Sequence, residues 1–497
     1  MKKIFSITIL SMLTITAFGQ TEQQKVENTI SKDNIKGHIY FLADDLLKGR
    51  ETGTPENKIA ASYLANMLRG YGVQPNPKTG TYYQEVQLNK ITTPQNTTLA
   101  INGKDIKKMV AIDANKVSFK GDAVYLNYGL EEDYKGKDLK DKVIIIQAGS
   151  AETKDARGAF RLLSQKRELA QEAGVSAVIE LLNAQDQMWD FIDHNFNEPS
   201  LAVATMENES MKESKMAYLW VQDVDAAMAS DLMNSKKLTT TLSIDNKVEE
   251  RIVSQNVIGV IEGTDPQLKN EYIIYSAHYD HVGVGTPDET GDTIYNGARD
   301  NGVGTTTVLS MAENLAKYPT KRSALFILFT GEEKGLLGSE YYVANPVLPL
   351  DQMVYCFNSD NAGYNDTSLI SIIGLPRTTA ENHIKNAAKT FGLTAVDDPA
   401  PEQGLFDRSD NVHFAAAGIP APTFSLGFTA FDGDVTKYYH RPGDEADTLD
   451  YEYLEQFFKA YVMAGRAIAN DPVTPTWTAG DKYEEASKKL YNKIDKN

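Results

Sequence analysis

A single cysteine, Cys356, serves a chain of 497 residues, so no internal disulfide can form. Small secreted domains depend on such staples, whereas a chain long enough to bury a large core does not. Cys356 also lies far from the N-terminus, so a lipid-modified N-terminal cysteine is not expected. Its place in the apolar run Met353–Phe357 marks it as core rather than nucleophile, since free cysteine is among the most buried side chains. Positive charge is in deficit: Lys plus Arg number 50 against 68 Asp plus Glu, a formal net charge of −18. That balance argues against nucleic acid and anionic membrane as partners. A soluble acidic surface accounts for most of it, and bound metal can neutralise a few of the carboxylates. Beyond the N-terminus no apolar stretch reaches the roughly 18 residues of a membrane span, and there is neither an internal repeat nor a low-complexity tract.

The chain does begin with an apolar stretch. Met1-Lys2-Lys3 precedes a run from Ile4 to about Phe18, with small residues at Ala17 and Gly19. A basic start, a short apolar centre and small residues describe a secretory signal over 1–19, removed before Gln20. The expectation is a secreted or periplasmic protein. Residues 20–32 are polar and are expected to be disordered. Length allows two or three domains at roughly 150 residues each. Residues 33–90 carry helical periodicity interrupted by the turn-rich Lys48–Thr54, then an alternating strand near Tyr82–Leu88. From 105 to 245 the texture changes to short strands with a helix at about Phe160–Ala173, without a metal-ligand cluster or nucleophile motif. From 250 to 475 strands and helices alternate regularly, which implies a mostly parallel sheet with helices on both faces. Residues 476–497 form a charged tail.

Chemistry-bearing residues recur where strands of that sheet end, the edge at which open α/β sheets bind ligands. The strand Tyr272–Ser276 runs into His278-Tyr279-Asp280-His281. Asp300 sits in the Gly-rich turn Gly297-Ala298-Arg299-Asp300-Asn301. Ala324–Phe329 runs into Gly331-Glu332-Glu333, and Tyr355–Phe357 into Asn358-Ser359-Asp360. Tyr439-His440-Arg441-Pro442 supplies a second imidazole, with Asp444 and Asp447 following. A pair of divalent ions about 3.5–4 Å apart needs a bridging carboxylate and further ligands on each ion. Two His and three carboxylates meet that need and leave one carboxylate as a base. Such donors suit zinc first, with cobalt or manganese as substitutes.

These motifs resemble the M28 family of zinc-dependent exopeptidases: His278-x-Asp280, Gly297–Asn301, Gly331–Ser339, Asn358–Asp360 and Tyr439–Pro442, in the family's order. The resemblance covers about 33–90 and 250–475. It implies a secreted two-zinc exopeptidase acting on peptides or small proteins, most readily an aminopeptidase. His278 and Asp360 hold one ion in that pattern, Glu333 and His440 the other, and Asp300 bridges them. Asp280 orients His278, and Glu332 is the general base that takes a proton from the metal-bridging water. The 105–245 segment resembles, more loosely, an inserted protease-associated (PA) domain. Carboxypeptidase or dipeptidase action, a single-zinc glutaminyl-cyclase-like acyltransferase and a non-catalytic binding module are the alternatives.

Two departures stand out. Arg299 occupies a place where the family commonly has Asp; it either lowers the site's negative charge or points away to a surface carboxylate. Ser409-Asp410-Asn411 stands where many relatives have Ser-Asp-His. His38, His194, His281, His383 and His413 read as surface or core residues rather than ligands, His281 being nearest to an exception. Phe406, Asp407 and Arg408 either line a pocket or end a loop, and Trp189 and Trp220 read as packing.

Overall fold

The computed structural model describes residues 20–491, apart from 95, 114–115, 155, 198, 205–215, 236 and 246. The expected signal, 1–19, lies outside the described residues. Two compact units divide the chain, one comprising Met1–Gln84 with Gln255–Asn497 and the other Glu85–Ser254.

Helices α1 (Glu22–Glu27), α2 (Lys32–Leu42) and α3 (Pro55–Tyr71) open the first unit. Strand β1 (Val248–Ile261) enters it at Gln255. There follow β2 (Tyr272–His278), α4 (Gly304–Lys317), β3 (Ser323–Phe329), α5 (Leu337–Ala344), β4 (Met353–Ser359) and β5 (Leu369–Ile373). Then come α6 (Glu381–Thr390), β6 (Thr394–Asp397), α7 (Asn411–Ala417), β7 (Thr423–Leu426), α8 (Tyr451–Asn470) and α9 (Glu484–Tyr491). The strands lie in the order β6-β5-β7-β4-β2-β3-β1. Central β2 is parallel to β3 and β4, β4 to β7, and β5 to β6, while β1–β3 and β5–β7 pair antiparallel.

Successive strand residues face opposite sides, and both sides here are covered. Ile273, Tyr275 and Ala277 join Ala324, Phe326 and Leu328 in one core, beneath Val26 of α1, Ile39 of α2, Leu64 of α3, Val308 of α4 and Phe457 of α8. Ile274, Leu325, Ile327 and Phe329 face the other way, towards Tyr342 of α5 and Phe414 of α7. Strands buried on both faces read as continuous apolar runs, as β2 and β3 do. Cys356 lies in the second of these cores, where burial pushes its thiol up to about 12.

The polar stretch 20–32, expected to be disordered, instead holds α1 and the start of α2. Thr21 and Gln24 close a reciprocal capping box around the first turn of α1, and its one apolar side chain, Val26, is fully buried. A local cap and two buried anchors, Val26 and Ile30, order this segment although its composition is polar.

In the second unit an 8-stranded mixed sheet runs through parallel strands Val143–Gln147, Ala177–Leu182 and Ala217–Gln222. Lys166 and Glu180 form a fully buried ion pair at 2.6 Å. Glu180 also accepts hydrogen bonds from Tyr218 Oη and Trp220 Nε1. Trp189 and Trp220 are packing residues of this unit's core.

Register decides where the chemistry emerges. His278 pairs with Phe329, and Ser276 with Asn358. The residues that follow β2, β3 and β4 therefore leave the sheet side by side at its carboxyl edge.

Candidate metal centre

His278 ends β2 fully buried, its Nε2 3.3 Å from Asp300 Oδ1 and 3.3 Å from Asp360 Oδ1. Its Nδ1 lies 3.2 Å from the Asp280 backbone oxygen. That carbonyl accepts the Nδ1–H hydrogen bond, so Nε2 is the nitrogen turned to the carboxylates, where a proton or a cation can sit. Opposite, His440 Nε2 lies 3.3 Å from Asp300 Oδ2 and 3.0 Å from Glu333 Oε2. The two oxygens of Asp300 thus face different imidazole–carboxylate pairs, and all five expected ligand positions converge. Glu332 Oε2 sits 3.9 Å from His278 Nε2, beside the cluster.

Ligands on a tetrahedral zinc at about 2.0–2.1 Å lie roughly 3.3 Å from one another, close to these nitrogen–oxygen separations. His440 Nε2 is buried and makes no hydrogen bond of good geometry among the described residues, although two carboxylate oxygens are near. A nitrogen placed between two acceptors and bonded to neither has the arrangement of a ligand around a shared cation. The donor chemistry agrees, because imidazole with carboxylate is a set that zinc takes.

Without cations, protons take their place. Burial disfavours charge on His440, but Asp300 and Glu333 outweigh it and raise the imidazole to about 10. For His278 burial is likewise outweighed, by Glu332 and Asp360, and its proton is held well above the ordinary range. Burial pushes Asp300 up, yet His278 and His440 bring it well below its usual value. Glu333 is lowered to about 2 against its own burial and the charge of Asp300, by the His281 and His440 imidazoles. Glu332 goes the other way: burial, then Asp360, Glu333 and Asp410, raise it well above a normal glutamate despite His278.

Several residues hold this geometry without facing the shared space. The Asp280 carboxylate stands at ion-pair distance from His278, 3.8 Å from Nδ1, too far for a hydrogen bond. The carboxylate instead accepts from Thr52 Oγ1 at 2.8 Å and from the backbone N–H groups of Glu332 and Glu333 at 3.2 and 3.4 Å. It therefore fixes the turn that presents the two glutamates. Arg50, inside the turn-rich break, is fully buried and donates to the backbone oxygens of Tyr279, Asn296 and Gly297, tying the His278 and Asp300 loops together.

Arg299 does not reach a surface carboxylate. It is buried and pairs with buried Asp444 at 2.9 Å, donates to Thr448 Oγ1 and the Thr448 backbone oxygen, and lies 3.9 Å over the Tyr438 ring. Asp444 accepts in addition from the N–H groups of Arg299 and Asp300. The segment carrying His440 is thereby fastened to the turn carrying Asp300. Sequence reading attached no role to Asp444, because a carboxylate four residues beyond a candidate ligand has no signal of its own. His281, also set aside there, is fully buried with Nδ1 2.7 Å from Glu333 Oε1.

A pocket adjoins the cluster. Asp300, Glu332, Glu333 and Asp360 line one end; Ile373, Leu405, Phe428, Phe431 and Val435 line the rest, with Arg408, Ser409 and Tyr439. Arg408 thus belongs to the pocket. Asp407 pairs with Lys482 instead, and Phe406 stacks on Tyr483 beneath Arg377. Asp410 is buried, and burial pushes its carboxyl up to about 7 although the Ser339 hydroxyl opposes the shift. His278/Glu332/Asp360 and His281/Asp300/Glu333/His440 are the clusters able to hold a metal among the described residues; both belong to the first unit.

A parallel-centred α/β sheet with paired imidazole–carboxylate half-sites at its carboxyl edge is the architecture of a metallohydrolase. Residues 256–464 match the family model described as peptidase family M28. Aminopeptidase YwaD of Bacillus subtilis (strain 168) is 25% identical over 476 residues, 92% of this chain and 92% of that protein. A probable leucine aminopeptidase 2 of Aspergillus oryzae is 24% identical over 460 residues, 86% of this chain and 84% of the other. Among solved structures, an aminopeptidase from Aneurinibacillus sp. strain AM-1 has the same fold, with a TM-score of 0.62 at 22% identity over 92% of this chain and 98% of that one. The match to peptidase family M28 spans residues 256–464, and the protein is a metallopeptidase whose donors suit zinc.

Proposed function

We propose that the protein is a di-zinc exopeptidase that removes residues from the N-termini of peptides. The observation that carries this reading is Asp300, whose Oδ1 lies 3.3 Å from His278 Nε2 while Oδ2 lies 3.3 Å from His440 Nε2. One carboxylate shared between two half-sites is what a bridged pair of ions requires. His278 and Asp360 would hold one zinc, Glu333 and His440 the other, with cobalt or manganese as substitutes on the same donors. When bound, zinc polarises the scissile carbonyl and makes water nucleophilic at neutral pH.

Glu332 is the general base. Its carboxylate lies beside the cluster without completing either pair, and the Asp280 carboxylate holds its backbone N–H. Burial raises its pKa above that of an ordinary glutamate, the direction that strengthens a carboxylate as a proton acceptor. It takes a proton from the attacking water and delivers it to the leaving amine. The pocket sets four carboxylates beside the apolar side chains of Ile373, Leu405, Phe428, Phe431 and Val435, with Arg408 and several hydroxyl groups among them; the carboxylates suit a substrate α-ammonium and the apolar side chains its first residue. Named aminopeptidases among the relatives support the same direction of attack. The signal-like start supports export to the periplasm or medium, and the Glu85–Ser254 unit is read as a PA-type insert.

One observation favours a second reading. Arg408 lines the pocket with no carboxylate partner among its described contacts, Tyr439 Oη at 3.4 Å being its hydrogen-bond partner. A guanidinium there suits a substrate carboxylate, as in a carboxypeptidase or dipeptidase. Mass spectrometry of products from a mixed peptide library, with and without chelator, separates the readings. Ladders shortened from the N-terminus and abolished by chelator are expected. Shortening from the C-terminus, attack confined to dipeptides, or cyclised N-terminal Gln would overturn aminopeptidase action.

A further inference from the structure

We propose that His281 is a positioning residue for the Glu333–His440 half-site, donating its Nδ1 proton to Glu333 Oε1 so that Oε2 alone turns to the metal. The inference rests on the two-metal reading above. Glu333 divides its oxygens, with Oε2 3.0 Å from His440 Nε2 and Oε1 2.7 Å from His281 Nδ1. Two ligands on one tetrahedral zinc would lie about 3.3 Å apart. A separation of 2.7 Å is a charge-assisted hydrogen bond and sets His281 outside the ligand set.

The tautomer follows from what surrounds the ring. His281 is fully buried, and its Nε2 has no partner among the described residues. A proton on Nε2 would be buried without an acceptor, while a bare Nδ1 would face a carboxylate oxygen lone pair to lone pair. Only Nδ1–H with bare Nε2 avoids both costs. The ring is also held from two sides. The His281 backbone bridges to Glu51, and Gly297, in the turn that carries Asp300, leaves the ring its space. A Cβ at Gly297 would lie 2.6 Å from His281 Cγ and Cδ2. One imidazole is thus fitted to the bridging-ligand turn and bonded to a terminal ligand. A metal-binding carboxylate steadied in this way keeps one oxygen on the ion, and removing such a support typically costs 10–100-fold in metal affinity.

The test compares His281→Leu with His281→Asn. Both remove the ring volume and are similar in size, but Asn retains an N–H near the position of Nδ1. Zinc content after dialysis against a competing chelator, zinc affinity by competition titration, and kcat and KM at limiting and excess zinc are measured on the full chain. Wild-type protein should retain two ions. H281L should lose one, binding it about 10–100-fold more weakly, with kcat restored by excess zinc and KM unchanged. H281N should stay within about threefold of wild type. Equal loss in both variants would assign His281 to packing alone, and wild-type affinity in H281L would also overturn the proposal. Wild-type protein holding one zinc would instead refute the two-metal reading. Histidine 15N shifts of wild-type holoenzyme report the tautomer whether or not the variants fold. Protonated Nδ1 and bare Nε2 are expected, and a bare Nδ1 overturns the assignment.

Discussion

Replacing Arg299 with methionine removes a guanidinium from a pair in which both partners are almost without solvent, Arg299 at 3% and Asp444 at 1% exposure. Methionine keeps an aliphatic stem against Tyr438 but abandons the 2.9 Å ion pair and both Thr448 hydrogen bonds. Breaking a buried pair by removing one partner typically costs about 3–5 kcal/mol, because the other charge stays buried. The N–H groups of Arg299 and Asp300 still reach Asp444, so the lower end, about 3 kcal/mol, is expected. Urea unfolding at fixed free zinc measures it. Burial holds the Asp444 pKa above its ordinary value, and Arg299 now opposes that shift; loss of the guanidinium raises it further. Below the unfolded pKa of about 3.9 the carboxyl is protonated in both states and the ion-pair loss costs little. The penalty grows as pH rises towards the raised folded value. Arg299→Met/Asp444→Asn, which also removes the charge, should recover most of the loss. A destabilisation below about 1 kcal/mol, or one independent of pH, refutes the assignment of Arg299 as the partner of a buried charge.

Other outcomes follow from the site. Glu332→Gln should keep its zinc and lose on the order of 10²–10⁴ in kcat; near-full turnover removes Glu332 as the base. Zinc affinity should fall as pH falls, since protons on His278 and His440 compete for the same nitrogens. Calorimetry in buffers of differing ionisation enthalpy should register proton release on binding, and none would contradict the competition. Gly297→Ala meets a positive φ of 59° and places a Cβ 2.2 Å from the Asp300 backbone oxygen, so bound zinc and thermal stability should both drop. An unchanged melting curve and zinc content would show that the turn tolerates a side chain. In zinc-free protein Asp410 has a folded value of about 7, above its unfolded value of about 3.9, so its contribution to stability is full below the unfolded value and is lost as pH rises from there to about 7. Asp410→Asn should flatten the stability profile there, and an unaltered slope would refute it.

The sheet and its candidate ligands were legible because apolar β2, β3 and β4 end abruptly in acids and imidazoles, and parallel register brings such ends together. The supports were harder to see. His281 is an isolated imidazole beside a motif, and only the fold sets it against Glu333. Arg50 and Asp444 act through contacts across more than a hundred residues of chain, which no local spacing records. Arg299 was visible as a departure, but its buried partner was not. The helix at Glu22–Glu27 did have a local sign, the Thr21–Gln24 box, outweighed in reading by polar composition. Short β5 and β6 escaped because four or five residues between loops show little alternation.

The central claim is that two ions share Asp300. Anomalous diffraction at the zinc edge from zinc-loaded crystals tests it most directly. The account predicts two peaks about 3.5–4 Å apart, one beside His278 and Asp360, the other beside His440 and Glu333, with Asp300 between them. A single peak, or a second peak away from Asp300, would contradict it.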